Sequence, residues 1–186
     1  MDAKSNRGFT LVELIVAMVL AILLLVTAVP SMQEMLARHR LLTLHQELRG
    51  ALYLARSHAL AERVATSVCP RSESGGCASG RGDWSRGWIV FEDGDHGGSC
   101  RPAGGYCQGS TRRVLRVYPS APSAFPIRAN TNVSRRVRYS PLGMSPGSNG
   151  RFTLCDRGGA VQPLGLVVAS TGRVRGARQG DLLACP

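Results

Sequence analysis

Lysine is almost missing from this chain of 186 residues: Lys4 stands alone among the 23 lysines and arginines. A lysine-coated surface is thereby excluded, and the planar guanidinium fork that replaces it suits bidentate contacts to phosphate or carboxylate. Acids are scarce as well, most of all late in the chain. From Arg112 to Pro186 twelve arginines stand against Asp156 and Asp181, so the C-terminal part carries most of the formal net charge of +11. Such a field fits nucleic acid, an anionic membrane surface or an acidic partner protein.

Catalytic signatures are also missing. The histidines His39, His45, His58 and His96 are scattered, and the first three read as surface or boundary residues. No G-x-S-x-G, H-E-x-x-H or Walker pattern occurs, which points away from an enzyme and from a resident cofactor. The cysteines have no C-x-x-C pair and no histidine at ligand spacing, so no zinc site is expected. Glu92-Asp93-Gly94-Asp95 alternates carboxylates as a calcium loop does, but lacks the later bidentate acid, and reads as an exposed acidic turn. Arg81-Gly82-Asp83 is too short a match to carry an adhesive role. Aromatics make up 5% of the chain. Trp84 and Trp88 sit where core packing accounts for them, and no interleaved stacking platform is visible. No internal repeat is evident.

What the chain does have is one long apolar run. Phe9 to Val29 matches the roughly 20 residues a helix needs to cross the hydrocarbon core. Lys4 and Arg7 precede it, so the positive-inside bias puts the amino terminus in the cytoplasm and the bulk of the chain outside. A cleaved secretory signal is the alternative, with Val26-Thr27-Ala28 as its small-residue cleavage site. Glu13 argues against that, because a carboxylate inside a membrane segment costs on the order of 2.5–3.5 kcal/mol and marks function.

Pro30 follows the run and is expected to kink or locally melt the helix. Beyond it Leu41, Leu44, Leu48, Leu52, Ala55 and Ala59 recur at helical spacing, with Arg38, Arg40, Arg49, Arg56 and Arg63 carrying the charge. The pattern predicts one helix from about Phe9 to about Arg63. After it the period changes, and strands are expected at 64–69, 87–91, 113–118, 137–139, 151–155 and 164–170, separated by Gly, Ser and Pro clusters. Helix first and strands afterwards is an α+β order, with an antiparallel sheet packed on the amphipathic helix.

Six cysteines, Cys69, Cys77, Cys100, Cys107, Cys155 and Cys185, favour disulfides in an oxidising compartment, and fifteen pairings are open to them. Proximity along the chain suggests Cys69 with Cys77, Cys100 with Cys107 and Cys155 with Cys185. The last of these ties the carboxyl-terminal tail to the sheet.

Gly8-Phe9-Thr10-Leu11-Val12-Glu13 resembles the processing signature of the type IV pilin superfamily. The resemblance implies cutting by prepilin peptidase between Gly8 and Phe9, N-methylation of the Phe9 amine, and retention of the apolar helix. Glu13 then becomes an assembly residue that pairs with the amino-terminal cation of a neighbouring subunit, so that a costly buried charge sets register. Ala55-Arg56-Ser57, Gly87-Trp88-Ile89-Val90-Phe91, Gly150-Arg151-Phe152-Thr153-Leu154-Cys155 and Ser170-Thr171-Gly172-Arg173-Val174-Arg175, in that order, resemble the GspH/FimT family of minor pilins and pseudopilins. The glycine-rich insert from Glu92 to Ser110 is less typical of it.

That resemblance implies a type IV pilin-like fold with four parts. Residues 1–8 are a leader, 9–30 the transmembrane or filament-core helix, 31–63 its amphipathic continuation, and 64–186 a β-rich periplasmic domain. Expected partners are other pilins or pseudopilins, prepilin peptidase and the bacterial inner membrane. In the DNA-uptake branch of the family a Gly-Arg-x-Arg stretch is associated with DNA. Side chains two apart on a strand point the same way, so Arg173 and Arg175, with Arg178 extending them, are the expected DNA contacts. Two further readings stay open: a minor pseudopilin of a type II secretion filament, and arginines that only solvate an edge strand.

Overall fold

The computed structural model describes residues 10–186, apart from the side chains of Thr27 and Pro30. Its first element is one helix, α1 (Leu11–Glu62). Thr10 caps it: the Thr10 hydroxyl accepts from the Glu13 backbone N–H at 3.3 Å, and the Glu13 carboxylate in the first turn favours the helix dipole. Arg63 ends it in the left-handed region at φ 54°. The backbone stays helical through position 30, so of the kink or local melting expected there no melting occurs. A proline's fixed φ is a helical one, so the missing N–H removes a bond without ending the helix.

The two halves of α1 differ in exposure. Leu11 to Val29 is apolar and its described side chains are exposed, and an 18-residue window reaches a mean hydropathy of 2.9. That stretch has length and composition enough to cross a membrane. Further along, Leu41, Leu44, Leu48, Ala51, Leu52, Ala55 and Ala59 form a buried stripe at the i, i+3, i+4 spacing of a helix face.

Ten strands follow: β1 (Thr66–Pro70), β2 (Trp88–Glu92), β3 (Pro102–Ala103), β4 (Tyr106–Cys107), β5 (Val114–Val117), β6 (Ile127–Ala129), β7 (Val137–Tyr139), β8 (Gly150–Leu154), β9 (Leu164–Val168) and β10 (Val174–Gly176). They form two antiparallel four-stranded sheets rather than the one expected, ordered β5-β2-β1-β7 and β10-β9-β8-β6, with β3-β4 a separate hairpin. The stripe of α1 lies over both sheets and shares one core with Val68, Val90, Val137 and Tyr139 of the first and Phe152, Leu154, Leu166 and Val168 of the second. Trp84 joins the parts: its ring meets Phe152 edge-on at 4.8 Å, and its Nε1–H donates to the Val133 carbonyl at 3.1 Å.

Disulfides link Cys69 to Cys77, Cys100 to Cys107 and Cys155 to Cys185. Cys69, Cys100 and Cys107 pack with Ile89 and Phe91 in a second, smaller core on the far side of the first sheet. The insert that reads as loop therefore contains the β3-β4 hairpin, held by Cys100–Cys107. Loop closure of this kind limits the freedom of the unfolded chain where little apolar area is available.

Asp93 is fully buried rather than exposed. Its carboxylate accepts from the Ser67 hydroxyl at 2.7 Å and from the Gly98 N–H at 2.8 Å. Arg112 and Arg138 stand at 3.7 Å and 3.8 Å. These oxygens are committed to pinning the turn after β2 against β1.

Candidate nucleic-acid interface and assembly segment

The β9-β10 hairpin presents the arginines singled out by sequence. Gly172 turns it at φ 78°, and a Cβ there would run into the Gly143 carbonyl oxygen. Glycine is required by both the conformation and the close approach. Arg56 of α1 fastens the turn, donating from Nε to the Gly143 carbonyl at 3.1 Å and from Nη2 to the Thr171 carbonyl at 3.3 Å. Val174 is buried while Arg173 and Arg175 on either side of it are exposed, the alternation a pleated strand imposes.

The arginines differ in how free they are. Arg175 donates from Nη1 to the Asp181 carboxylate at 2.8 Å and to the Gly176 carbonyl at 3.0 Å. The Arg178 backbone N–H donates to the same Asp181 oxygen at 3.1 Å, leaving the exposed Arg178 side chain beside it. Arg173 has no acidic partner among the described residues. The Asp181 carboxyl lies below the usual carboxylate range because of the Arg175 hydrogen bond first, then the Arg178 N–H, with the charge of Arg151 adding to them. Sequence reasoning passed over Asp181 as a site residue. Its signal was its rarity, as one of two acids after Arg112.

The assembly segment is described only from Thr10 onward, so Gly8 and Phe9 lie outside the described residues. Glu13 sits in the first turn of α1, exposed among Leu11, Val12, Leu14 and Ile15.

An open cleft of about 770 Å³ lies where α1 ends, lined in part by Glu62, Glu92, Tyr106 and Arg113. Its charges are paired in place. Arg113 meets Glu92 at 2.8 Å and Glu62 at 3.8 Å, and the half-buried His58 ring meets Glu92 at 3.0 Å. Burial works against ionising Glu92, but the Arg113 backbone N–H, the Arg113 guanidinium and His58 outweigh it and hold the carboxyl below its usual range. This arrangement clamps the helix end to β2 and to the start of β5.

A family model described as type II transport protein GspH matches residues 45–172, and one described as the prokaryotic N-terminal methylation motif matches residues 3–29. No curated protein matches the chain significantly. Two crystal structures of the type IV minor pilin FimU of Pseudomonas aeruginosa are similar in fold. The P21 form has TM-score 0.54 at 20% identity over 77% of this chain and 92% of that one. The P65 form has TM-score 0.50 at 20% identity over 73% and 90%.

Proposed function

This chain belongs to the GspH family and carries an N-terminal methylation motif, which makes it a minor type IV pilin or pseudopilin; we propose that it is a type IV pilus subunit that contacts DNA during uptake. On this reading prepilin peptidase cuts between Gly8 and Phe9, residues 9–30 anchor the chain in the inner membrane and then in the filament core, and residues 64–186 face the periplasm. Three disulfides agree with an oxidising compartment. The family is one of structural subunits, and the paired charges of the cleft beside Glu92 fit a part that holds position.

The observation that carries the DNA half is the exposed Arg173, Arg175 and Arg178 group on a hairpin fastened to α1. Contacts of this kind go to phosphates and carry little sequence preference. With the full chain held in neutral detergent, duplex binding is expected to weaken steeply with salt. The double variant Arg173→Gln, Arg175→Gln is expected to lose roughly ten- to hundredfold in affinity and about two units of the log–log salt slope. Affinity that ignores both salt and these two side chains removes DNA from the proposal and leaves the filament subunit.

The family description favours a second reading, the minor pseudopilin of a type II secretion filament that helps export folded proteins. Deletion separates them: lost secretion of enzymes marks the pseudopilin, lost transformation or twitching marks the pilus subunit.

A further inference from the structure

The second sheet carries more arginine than its hairpin. Phe152, Leu154, Leu166, Val168 and Val174 are buried in the core, so by alternation Arg151, Val167 and Arg175 stand on the opposite, outer face. The register sets Val167 opposite Arg175 on one side and Arg151 on the other. One strand further over, Arg128 pairs with Thr153, which shares the face of Arg151. At about 4.8 Å between strands, these three arginines span the sheet from edge to edge. Arg128 also lines a polar cleft of about 290 Å³ together with Arg81, Asn130, Thr131 and Ser134 and, from the tail, Leu183 and Ala184. Arg128 and Arg151 have no acidic partner among the described residues.

The carboxyl-terminal tail lies on this same face. The Leu183 N–H donates to the Thr153 hydroxyl at 2.8 Å, and Cys185 is bonded to Cys155 at the end of β8. Tethered this way, the tail brings the Asp181 carboxylate to 2.8 Å from the Arg175 guanidinium, within the field of Arg151. A carboxylate oxygen accepting from an arginine fork has the charge and geometry of a phosphate oxygen doing so. The tail thus marks where an anion sits.

We propose that Arg128, Arg151 and Arg175 form one phosphate-backbone track across the outer face of the second sheet, and that Asp181 occupies one phosphate position on it until DNA displaces the carboxylate. The track rests on the DNA-binding reading above and extends it from a hairpin to a sheet. It also gives the tail disulfide a role, since Cys155–Cys185 fixes how far Asp181 strays from its seat.

The test is a salt series of binding curves for a short mixed-sequence duplex with the full chain in neutral detergent. Arg128→Gln and Arg151→Gln are each expected to weaken binding roughly five- to tenfold and to lower the salt slope by about one. Asp181→Asn, nearly isosteric, tightens binding by a similar factor. Arg116→Gln, on β5 of the other sheet, changes neither quantity. Wild-type binding by Arg128→Gln and Arg151→Gln, beside a loss in Arg173→Gln, Arg175→Gln, overturns the track and leaves the hairpin reading standing. An equal loss in Arg116→Gln also overturns it, because the attraction is then diffuse. If the wild-type chain does not bind, Asp181→Asn decides: binding by that variant alone supports an occupied seat, and binding by neither overturns track and DNA reading together.

Discussion

Glu13→Leu is expected to leave the chain in the membrane and to remove it from the filament. The carboxylate stands exposed in the first turn of α1 among Leu11, Val12, Leu14 and Ile15. Placing such a group in hydrocarbon costs on the order of 2.5–3.5 kcal/mol. Leucine removes that cost, so insertion stays the same or improves. Assembly is different, because on the proposed reading the charge is matched only by the Phe9 amine of a neighbouring subunit. An unmatched amine in the filament core then carries the full penalty of a buried, unpaired charge. Immunoblots of sheared filaments beside membrane fractions measure this, with the variant expected in the membrane alone. Undiminished incorporation of Glu13→Leu refutes the pairing.

The second large effect is on stability. Asp93→Ala is expected to lower the unfolding free energy by about 3–5 kcal/mol, as breaking a buried ionic cluster does when one sign is left behind. The substitution strips the Ser67 hydroxyl and the Gly98 N–H of their acceptor. It also leaves Arg138, mostly buried, facing an empty place where the carboxylate stood, and leaves Arg112 with Asp95, at 3.3 Å, as its remaining acidic partner. Urea unfolding of the oxidised full chain in detergent, wild type against variant, gives the difference directly. A loss below about 1 kcal/mol means that the cluster does not hold the turn, since that is the range of ordinary surface pairs.

The contrast between these two residues shows where sequence is informative. Glu13 is legible because its oddity is local: one acid inside an unbroken apolar run needs no partner in view to be noticed. Asp93 is illegible for the opposite reason. Its neighbours Gly94, Asp95, Gly97 and Gly98 read as a solvated loop, while the groups that bury it come from β1, from the segment before β5 and from β7.

The same distinction runs through the fold. Helix α1 is visible almost to its ends because its apolar stripe repeats every three to four residues up to Ala59, and β7 shows in Val137 and Tyr139 alternating around Arg138. Strand β6 is hidden: three residues between Pro126 and Asn130 are too few to show a period, and pairing with β8 gives Ile127 its place. The β3-β4 hairpin lies under the glycines of the insert, and a disulfide rather than an apolar pattern holds it. For the basic surface, Gly172-Arg173-Val174-Arg175 is contiguous and can be read directly. Arg128, Arg151 and Asp181 join it only through strand register and the tail disulfide, which no linear spacing encodes.

Mass spectrometry of the amino terminus of the chain purified from its membrane tests the filament-subunit reading most directly. The expected chain begins at Phe9 with one added methyl group on its amine. A chain that keeps residues 1–8, or that begins after Ala28, contradicts it.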